Sequence, residues 1–292
     1  MVKPRRQLPF WRRQTPSREY DIELLRPADR VRGKRFETSA DAQEESERSE
    51  QLLRSFTGGS KELAELLQEC RAGDYECNRP FCPICARVFR RWFISELLRI
   101  TKGDEPVRIY TVLLNEGSQD KINDLDPTTV EHQLRKRLQR AGLGKVPVIG
   151  GIEIVYKARK RVWLLHANLV MIGGKKAARK KFAQGFKGGD IERAIIRARL
   201  KKPPKQLSYV LKFTTYHRPY EQQGSTKSEA KPLNPKEHAS LLKWMSQFEI
   251  EEFLLYDRFC GLGRAATKPE HPAYNGAQGS LDAALVHDQR FP

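Results

Sequence analysis

Two apolar segments on either side of a short basic turn constrain the fold of this chain more than any other feature. Pro147–Tyr156 and Val162–Ile172 are rich in β-branched residues, and the basic run 157–160 separates them. Apolar runs of this length around a turn predict a β-hairpin. Arg108–Leu114 has the same character and predicts a further strand.

Helical patterns surround these strands. Apolar residues with helical spacing predict two short helices between Ser46 and Cys70, and a third through Val88–Leu98. Further helices are predicted at Pro127–Gly142, in the basic segment Lys175–Leu200, from about Lys205 past Tyr209, and from Asn234 to about Tyr256.

Composition shifts divide the chain into four parts. Residues 1–45 read as a basic, partly disordered arm, and residues 46–104 as a helical segment that contains a cysteine cluster. We expect one functional domain at 105–222, then a linker, a C-terminal helix and a loose tail at 223–292.

The charge of the chain indicates a polyanionic partner. Lys and Arg number 54 against 36 Asp and Glu, a formal charge of +18. A charge of this size favours nucleic acid over a merely solvated surface. Phosphate contacts are expected from the basic residues of one segment, Lys175, Lys176, Arg179, Lys180, Lys181, Arg197, Arg199, Lys201 and Lys202.

No apolar run approaches the ~18 residues of a membrane helix, so no membrane partner is expected. The basic N-terminal residues lack the apolar stretch of a secretory signal. We therefore expect a cytoplasmic, reducing location, where clustered cysteines favour metal ligation over disulfides.

Four cysteines lie within a short segment. Cys82-Pro-Ile-Cys85 has the spacing of a zinc knuckle, and Cys70 and Cys77 can complete a four-cysteine site. The alternative is four free buried thiols. We expect a structural Zn²⁺, because clustered thiols otherwise lack a shared role.

The second strand of the hairpin carries His166-Ala-Asn168, whose first and third side chains share a face. If the turn comprises residues 157–160, Glu153 opposes Leu164 and joins that face, whereas a turn of odd length would exclude it. A carboxylate, an imidazole and an amide suit Mg²⁺ or Mn²⁺. The structural alternative is a hydrogen-bonded core histidine.

Tyr209 and Lys212 are three residues apart, which places them on one face of the predicted helix. An ammonium there favours the phenolate of a tyrosine, whose free pKa is ~10. The alternative is that Tyr209, Phe213 and Tyr216 form a packed aromatic stripe.

In their order, these segments resemble the three motifs of rolling-circle replication initiators of the HUH endonuclease class. Ile109-Tyr-Thr-Val-Leu113 resembles the first motif, His166-Ala-Asn168 occupies the place of the metal-binding His-hydrophobic-His motif, and Tyr209-Val-Leu-Lys212 matches the nucleophile motif. The resemblance covers roughly residues 107–216, and similar cysteine clusters precede the nicking domain in many of these initiators.

The resemblance implies an α+β fold with an antiparallel sheet backed by helices and a metal on its open face. It implies a metal-dependent nickase and strand transferase in which Tyr209 attacks DNA, assisted by Lys212. The products would be a 5′-phosphotyrosyl link and a free 3′-hydroxyl. Plasmid origin DNA, single-stranded or supercoiled, would be the substrate, with a separate helicase and polymerase, since no ATP-binding loop is present.

Two departures from the family pattern matter. Asn168 stands where a second histidine is usual, which weakens metal affinity, and Phe213 stands where some members have a second tyrosine. The chain therefore resembles a single-tyrosine member, with Tyr216 as a substitute nucleophile on the same predicted helix face. The alternatives are a relaxase or single-strand transposase, and a non-catalytic, zinc-containing nucleic-acid-binding protein.

Overall fold

A five-stranded antiparallel sheet with helices on its faces forms the centre of the structure, a computed structural model that describes residues 38–119, 121–158, 160–186, 195–213, 216–217 and 231–257. Every neighbouring pair of its strands is antiparallel. The α+β class and the antiparallel sheet backed by helices are thus confirmed.

The strands of this sheet are β1 (Val107–Gln119), β2 (Val148–Lys157), β3 (Val162–Ile172), β4 (Ile195–Arg199) and β7 (Leu254–Asp257). Their order across the sheet is β4-β1-β3-β2-β7. The predicted hairpin is β2–β3, and its buried apolar residues explain why β3 lies at the centre of the sheet. Two further short strands, β5 (Tyr216–His217) and β6 (Lys231–Pro232), pair with each other.

The α-helices of the described residues are α1 (Ser39–Ser55), α2 (Lys61–Ala72), α3 (Pro83–Ile100), α4 (Pro127–Arg140), α5 (Lys176–Gln184), α6 (Pro203–Leu207) and α7 (Pro235–Met245). Local capping explains several starts: the side chains of Thr38, Ser60 and Asp126 accept backbone N–H groups at the first turns of α1, α2 and α4. None of the described helices has the length and apolar character of a transmembrane segment.

Helices α4 and α5 cover one face of the sheet. Phe182 of α5 contacts the Tyr110 ring edge-on at 5.7 Å, and α4 lies against Val148 and Leu169. Alternation along each strand places Tyr110 and Thr111 on opposite faces. The α5 side is called the helix face below, and the side of Thr111 is called the site face.

The segment 207–213 lies over the site face. A Cβ at Gly151 on β2 would lie 2.6 Å from both the Val210 carbonyl oxygen and Leu211 Cδ1. Only glycine allows this close approach of two backbones. The helices α1, α2 and α3 pack together, and α3 contacts α6.

Three helix predictions are correct in position but wrong in extent. Lys175–Leu200 contains the strand β4 as well as α5, because the β-branched pair Ile195 and Ile196 pairs with β1 at the sheet edge. The last helix ends at Met245, and Leu254–Asp257 pairs with β2. The helix from about Lys205 is only α6, which ends before Tyr209. In each case tertiary contacts override local helical spacing.

Candidate functional site

Glu153 and His166 lie directly opposite each other on β2 and β3. The predicted partner of Glu153, Leu164, is wrong by two residues, since Lys157, the last residue of β2, pairs with Val162, the first residue of β3, and the turn lies between them. A shift of two preserves the face on which a side chain lies. Arg161, with a φ of 54°, supplies the left-handed residue of this turn.

The Glu153 carboxylate and the His166 imidazole form a buried hydrogen bond. His166 Nε2 lies 2.6 Å from Glu153 Oε2, and both residues are at most 9% exposed. Because the partner is a carboxylate, Nε2 carries the proton and donates it. Nδ1 of His166 is buried and has no hydrogen-bond partner among the described residues, which leaves its lone pair available.

Lys212 completes this network. Its ammonium lies 3.1 Å from Glu153 Oε1, so the buried carboxylate faces one cation and one imidazole. Burial alone raises the pKa of Glu153, but Lys212 and His166 outweigh that effect and lower it to about 2. Glu153 therefore stays ionised at neutral pH.

Asn168 is tied to the first strand. The Thr111 hydroxyl donates to Asn168 Oδ1 at 2.7 Å, and this pair lies directly opposite in the β1–β3 register. A carbonyl oxygen has two lone pairs, so Oδ1 retains one for another partner. Asn168 is 5% exposed, so the site is buried and does not lie on the open face that the resemblance implies.

The segment with Tyr209 and Lys212 follows α6 as a series of turns. Backbone bonds from Tyr209 N to Gln206 O and from Val210 N to Leu207 O continue the chain beyond the helix end. Lys212 nevertheless contacts Tyr209, with Nζ 4.4 Å from the ring centroid. The contact is with the face of the ring, a cation–π interaction.

The tyrosines differ from the prediction in their setting. Tyr209 is 36% exposed, so it does not belong to a packed stripe. Tyr216 lies in β5, paired with Pro232, and not on a continuing helix, so the argument that placed it on the face of Tyr209 is wrong. Phe213 is buried and contacts the Phe253 ring edge-on at 5.7 Å.

A buried arginine that the sequence prediction missed holds this segment. Arg90 on α3 donates to the Ser208 carbonyl at 2.9 Å and to the Leu211 carbonyl at 2.8 Å, and it is 1% exposed. The available signal was a cation in the apolar stripe of α3, four residues after Ala86 and three before Phe93. Such a buried charge requires polar partners.

The predicted metal ligands suit a divalent cation by their chemistry. His166 offers the lone pair of Nδ1, and Asn168 offers a lone pair of Oδ1. Glu153 accepts the hydrogen bond from the N–H group at Nε2, the other ring nitrogen of the histidine. A carboxylate in this position commonly orients a metal-binding histidine. The geometry therefore suits Glu153 as the residue that fixes the tautomer of His166, where the sequence prediction made it a direct ligand.

The four predicted cysteines converge in a buried cluster, and their Sγ atoms all lie within 4.8 Å of one another. Cys70 lies in the last turn of α2, Cys77 precedes Asn78, which has a left-handed backbone, and Cys82 is the N-cap residue of α3. Cys85 lies in the first turn of α3. The Sγ of Cys85 is 4.0 Å from that of Cys70 and 3.7 Å from that of Cys77.

These spacings match tetrahedral metal coordination. Zn–S bonds of about 2.3 Å place tetrahedral sulfurs about 3.8 Å apart, whereas a disulfide requires about 2.05 Å. The backbone N–H of Cys77 also donates to Cys70 Sγ. The cluster could hold a structural metal such as zinc, and among the described residues no other group of three or more His, Cys, Asp and Glu is arranged to do so.

The predicted phosphate-binding residues form a basic surface around α5 and β4. Lys175, Lys176, Lys180 and Lys181 are exposed at α5, Arg197 and Arg199 on β4, and Lys201 and Lys202 in the turn that follows. Arg179 is partly buried, and its Nη1 donates to the carbonyls of Gly173 and Gly174 at 2.8 Å.

Comparison of this chain with family models, with curated proteins and with solved structures finds no match.

Proposed function

We propose that this chain nicks one strand of DNA through Tyr209, as a rolling-circle replication initiator of the HUH class does. One observation carries the proposal: side chains from three distant segments meet on the site face in two sets of contacts, whose members Asn168 and His166 lie two residues apart on β3. Thr111 bonds to Asn168, His166 bonds to Glu153, and Glu153 pairs with Lys212, which contacts Tyr209. These are the segments whose order resembles the family motifs.

The residues of the network have distinct roles in this proposal. Lys212 holds Glu153 ionised, Glu153 holds the His166 proton on Nε2, and Thr111 orients the Asn168 amide. A Mg²⁺ or Mn²⁺ bound by His166 and Asn168 would supply Lewis-acid polarisation of the phosphodiester.

Tyr209 is the nucleophile in the proposed step. Its oxygen forms a bond to phosphorus as the bond from phosphorus to the 3′ oxygen breaks. The phenol loses one proton and the 3′ oxygen gains one, so the step is balanced. The retained 5′-phosphotyrosyl bond permits later rejoining without ATP.

Zinc has a structural role in the proposal. A metal held by the four cysteines joins the end of α2 to the start of α3, and α3 carries Arg90, which holds the backbone beside Tyr209. The partners would be plasmid origin DNA in the cytoplasm and a separate helicase and polymerase.

Adduct formation on a denaturing gel tests the proposal. Labelled single-stranded DNA of random sequence and supercoiled plasmid DNA are incubated with the full chain and Mn²⁺. Wild-type protein should nick the plasmid and retain labelled DNA covalently. Tyr209→Phe should lose the adduct yet still bind DNA, because only a hydroxyl is removed.

Two further variants sharpen the result. Tyr216→Phe should remain active, and Glu153→Gln should need about 10- to 100-fold more Mn²⁺, because the histidine loses its charged orienting partner. If Tyr209→Phe still forms the adduct and Tyr216→Phe does not, the nucleophile assignment is wrong. A wild-type protein that neither nicks nor forms adducts on any substrate contradicts the nickase proposal.

The second candidate is a non-catalytic nucleic-acid-binding protein with structural zinc. The burial of Glu153, His166 and Asn168 favours it, because a scissile phosphate needs access to the catalytic groups. In that case the network only stabilises the sheet, and DNA binding persists without any adduct.

A further inference from the structure

Four arginines gather on the helix face, away from Tyr209. Arg108 on β1 lies directly opposite Arg199 on β4, and Arg197 is opposite Tyr110. Alternation places all three guanidinium groups on the side of α5, which contributes Arg179. The site residues Thr111 and Asn168 lie on the other face.

This arrangement is electrostatically unfavourable without an anion. Like charges directly opposite on neighbouring strands repel. None of the four guanidinium groups has an ion pair with a carboxylate in the part of the chain that the structure describes. Burial and then the charges of Arg179 and Arg199 lower the pKa of Arg108, as a locally positive potential requires.

Tyr110 adds an unsatisfied donor to the same place. It is fully buried, and its hydroxyl has no hydrogen-bond partner within the described residues. Burial raises its pKa, and the charges of Arg179, Arg197 and Arg108 lower it in part. Arg197 lies directly opposite Tyr110 on β4. The unpaired hydroxyl and the facing arginines are both unfavourable for the folded state.

We infer that Arg108, Arg179, Arg197 and Arg199 form a phosphate-binding site that holds the backbone of DNA on the helix face. The guanidinium groups supply forked donors that match phosphate oxygens. A bound phosphate offsets the repulsion between them, whereas the buried Tyr110 hydroxyl stays out of its reach. This inference deepens the proposed function, and the choice of DNA as the ligand rests on that function. One strand reaches Tyr209 while another part of the DNA is bound on the opposite face of the sheet.

DNA binding measured without cleavage tests this site. Fluorescence anisotropy of a short labelled duplex, and of one of its strands, is recorded in the Tyr209→Phe background without added divalent cation. Replacing Arg197 and Arg199 together by Gln should weaken binding on the order of 10-fold per contact at 0.1 M salt. A plot of log binding constant against log salt concentration should become shallower, its slope falling in magnitude by about 1.8 for a duplex or about 1.4 for a single strand. The size of this change identifies the form of DNA that is bound.

The matched control removes two positive charges elsewhere. Lys61 and Lys236 are exposed on α2 and α7, and the double Gln variant should keep the wild-type salt slope. Equal losses in both double variants would show that only net charge matters and would overturn the site. So would unchanged binding after loss of Arg197 and Arg199.

Thermal stability is a second readout, because a phosphate-binding role and a purely structural role predict opposite changes in Tm. Arg199→Gln should bind DNA more weakly yet melt about 1–3 °C higher, because repulsion is removed. Tyr110→Phe removes only the buried, unsatisfied hydroxyl and should also melt higher, but with unchanged DNA binding. A lower Tm of Arg199→Gln with unchanged binding would make Arg199 structural. Because no cleavage is measured, the outcome is separate from that of the adduct assay.

Discussion

Lys212 and Glu153 form an ion pair on the site face, with Nζ 3.1 Å from Oε1. The carboxylate is almost fully buried, whereas the lysine side chain is 17% exposed. Since the lysine also lies over the Tyr209 ring, this pair connects the segment with the tyrosine to the sheet. The Lys212–Glu153 ion pair therefore holds the site together, and substitution of either residue tests this.

The pair predicts a strong coupling between its members. Lys212→Met should lower the free energy of unfolding by on the order of 3 kcal/mol, because the buried Glu153 carboxylate loses its cationic partner. Adding Glu153→Gln should recover part of that loss, with a coupling energy of about 1–3 kcal/mol by urea unfolding of the double-mutant cycle. Strictly additive losses would show that the pair contributes no coupling.

Substitution of Arg90 should destabilise the protein more than substitution of an exposed helix residue does. Arg90→Met leaves two buried carbonyls unsatisfied and should destabilise the protein by roughly 2–4 kcal/mol. Hydrogen exchange should rise in residues 208–212. Arg99→Met is the control, because its exposed pair with Glu96 contributes little. Equal effects of the two variants would refute the assignment.

Gly151 tests the close approach of the tyrosine segment to β2. Gly151→Ala should destabilise the protein by about 1–3 kcal/mol, because the new methyl group meets the Val210 carbonyl and Leu211. Gly103→Ala should be nearly neutral, since a Cβ there contacts nothing within 4 Å. Comparable melting temperatures for both variants would contradict the packing described.

The cysteine cluster should hold one zinc per chain. Elemental analysis should find zinc in the wild-type protein and little in Cys82→Ser. Cys260, the fifth cysteine of the sequence, is far from the cluster in sequence, so Cys260→Ser is the control and should keep its zinc. The hydrogen bond to Cys70 raises the pKa of Cys77, and burial raises that of Cys82. Zinc must displace these protons, so its affinity should fall as the pH is lowered. Zinc-free protein with four titratable thiols would refute the site.

His238 should make the fold sensitive to acid. Burial first, and the charge of Arg48 second, lower its pKa from 6.5 to about 3. Between these values the unfolded chain binds a proton that the folded chain does not, so stability is complete above pH 6.5 and falls as the pH decreases. Between pH 7 and pH 5, protonation of this histidine in the unfolded chain should lower the free energy of unfolding by about 2 kcal/mol.

Urea unfolding at both pH values measures this loss. His238→Gln should lower the overall stability because it alters the buried contacts with Ser49 and Glu45. It should nevertheless flatten the dependence on pH. His132→Gln, at an exposed position of α4, should leave the dependence unchanged. An unchanged slope in His238→Gln would show that another group causes the acid sensitivity.

The sequence by itself determined the elements whose patterns are local. The β2–β3 hairpin follows from two apolar runs and a basic turn, and α4 follows from Asp126, Pro127 and an amphipathic stripe. Parity placed Glu153 on the face of His166 even though the predicted register was wrong by two. The cysteine spacing likewise predicted a cluster, because short sequence separation limits how far apart the thiols can lie.

Only the tertiary structure decided what lies against these elements. Residues 195–199 became an edge strand because β1 offered unpaired backbone groups, and the chain left helical geometry after Leu207 because Arg90 binds the carbonyls of Ser208 and Leu211. The pairing of Glu153 with Lys212 and the gathering of Arg108, Arg179, Arg197 and Arg199 join residues far apart in sequence. Their energies depend on burial and distance in three dimensions, which local spacing does not encode.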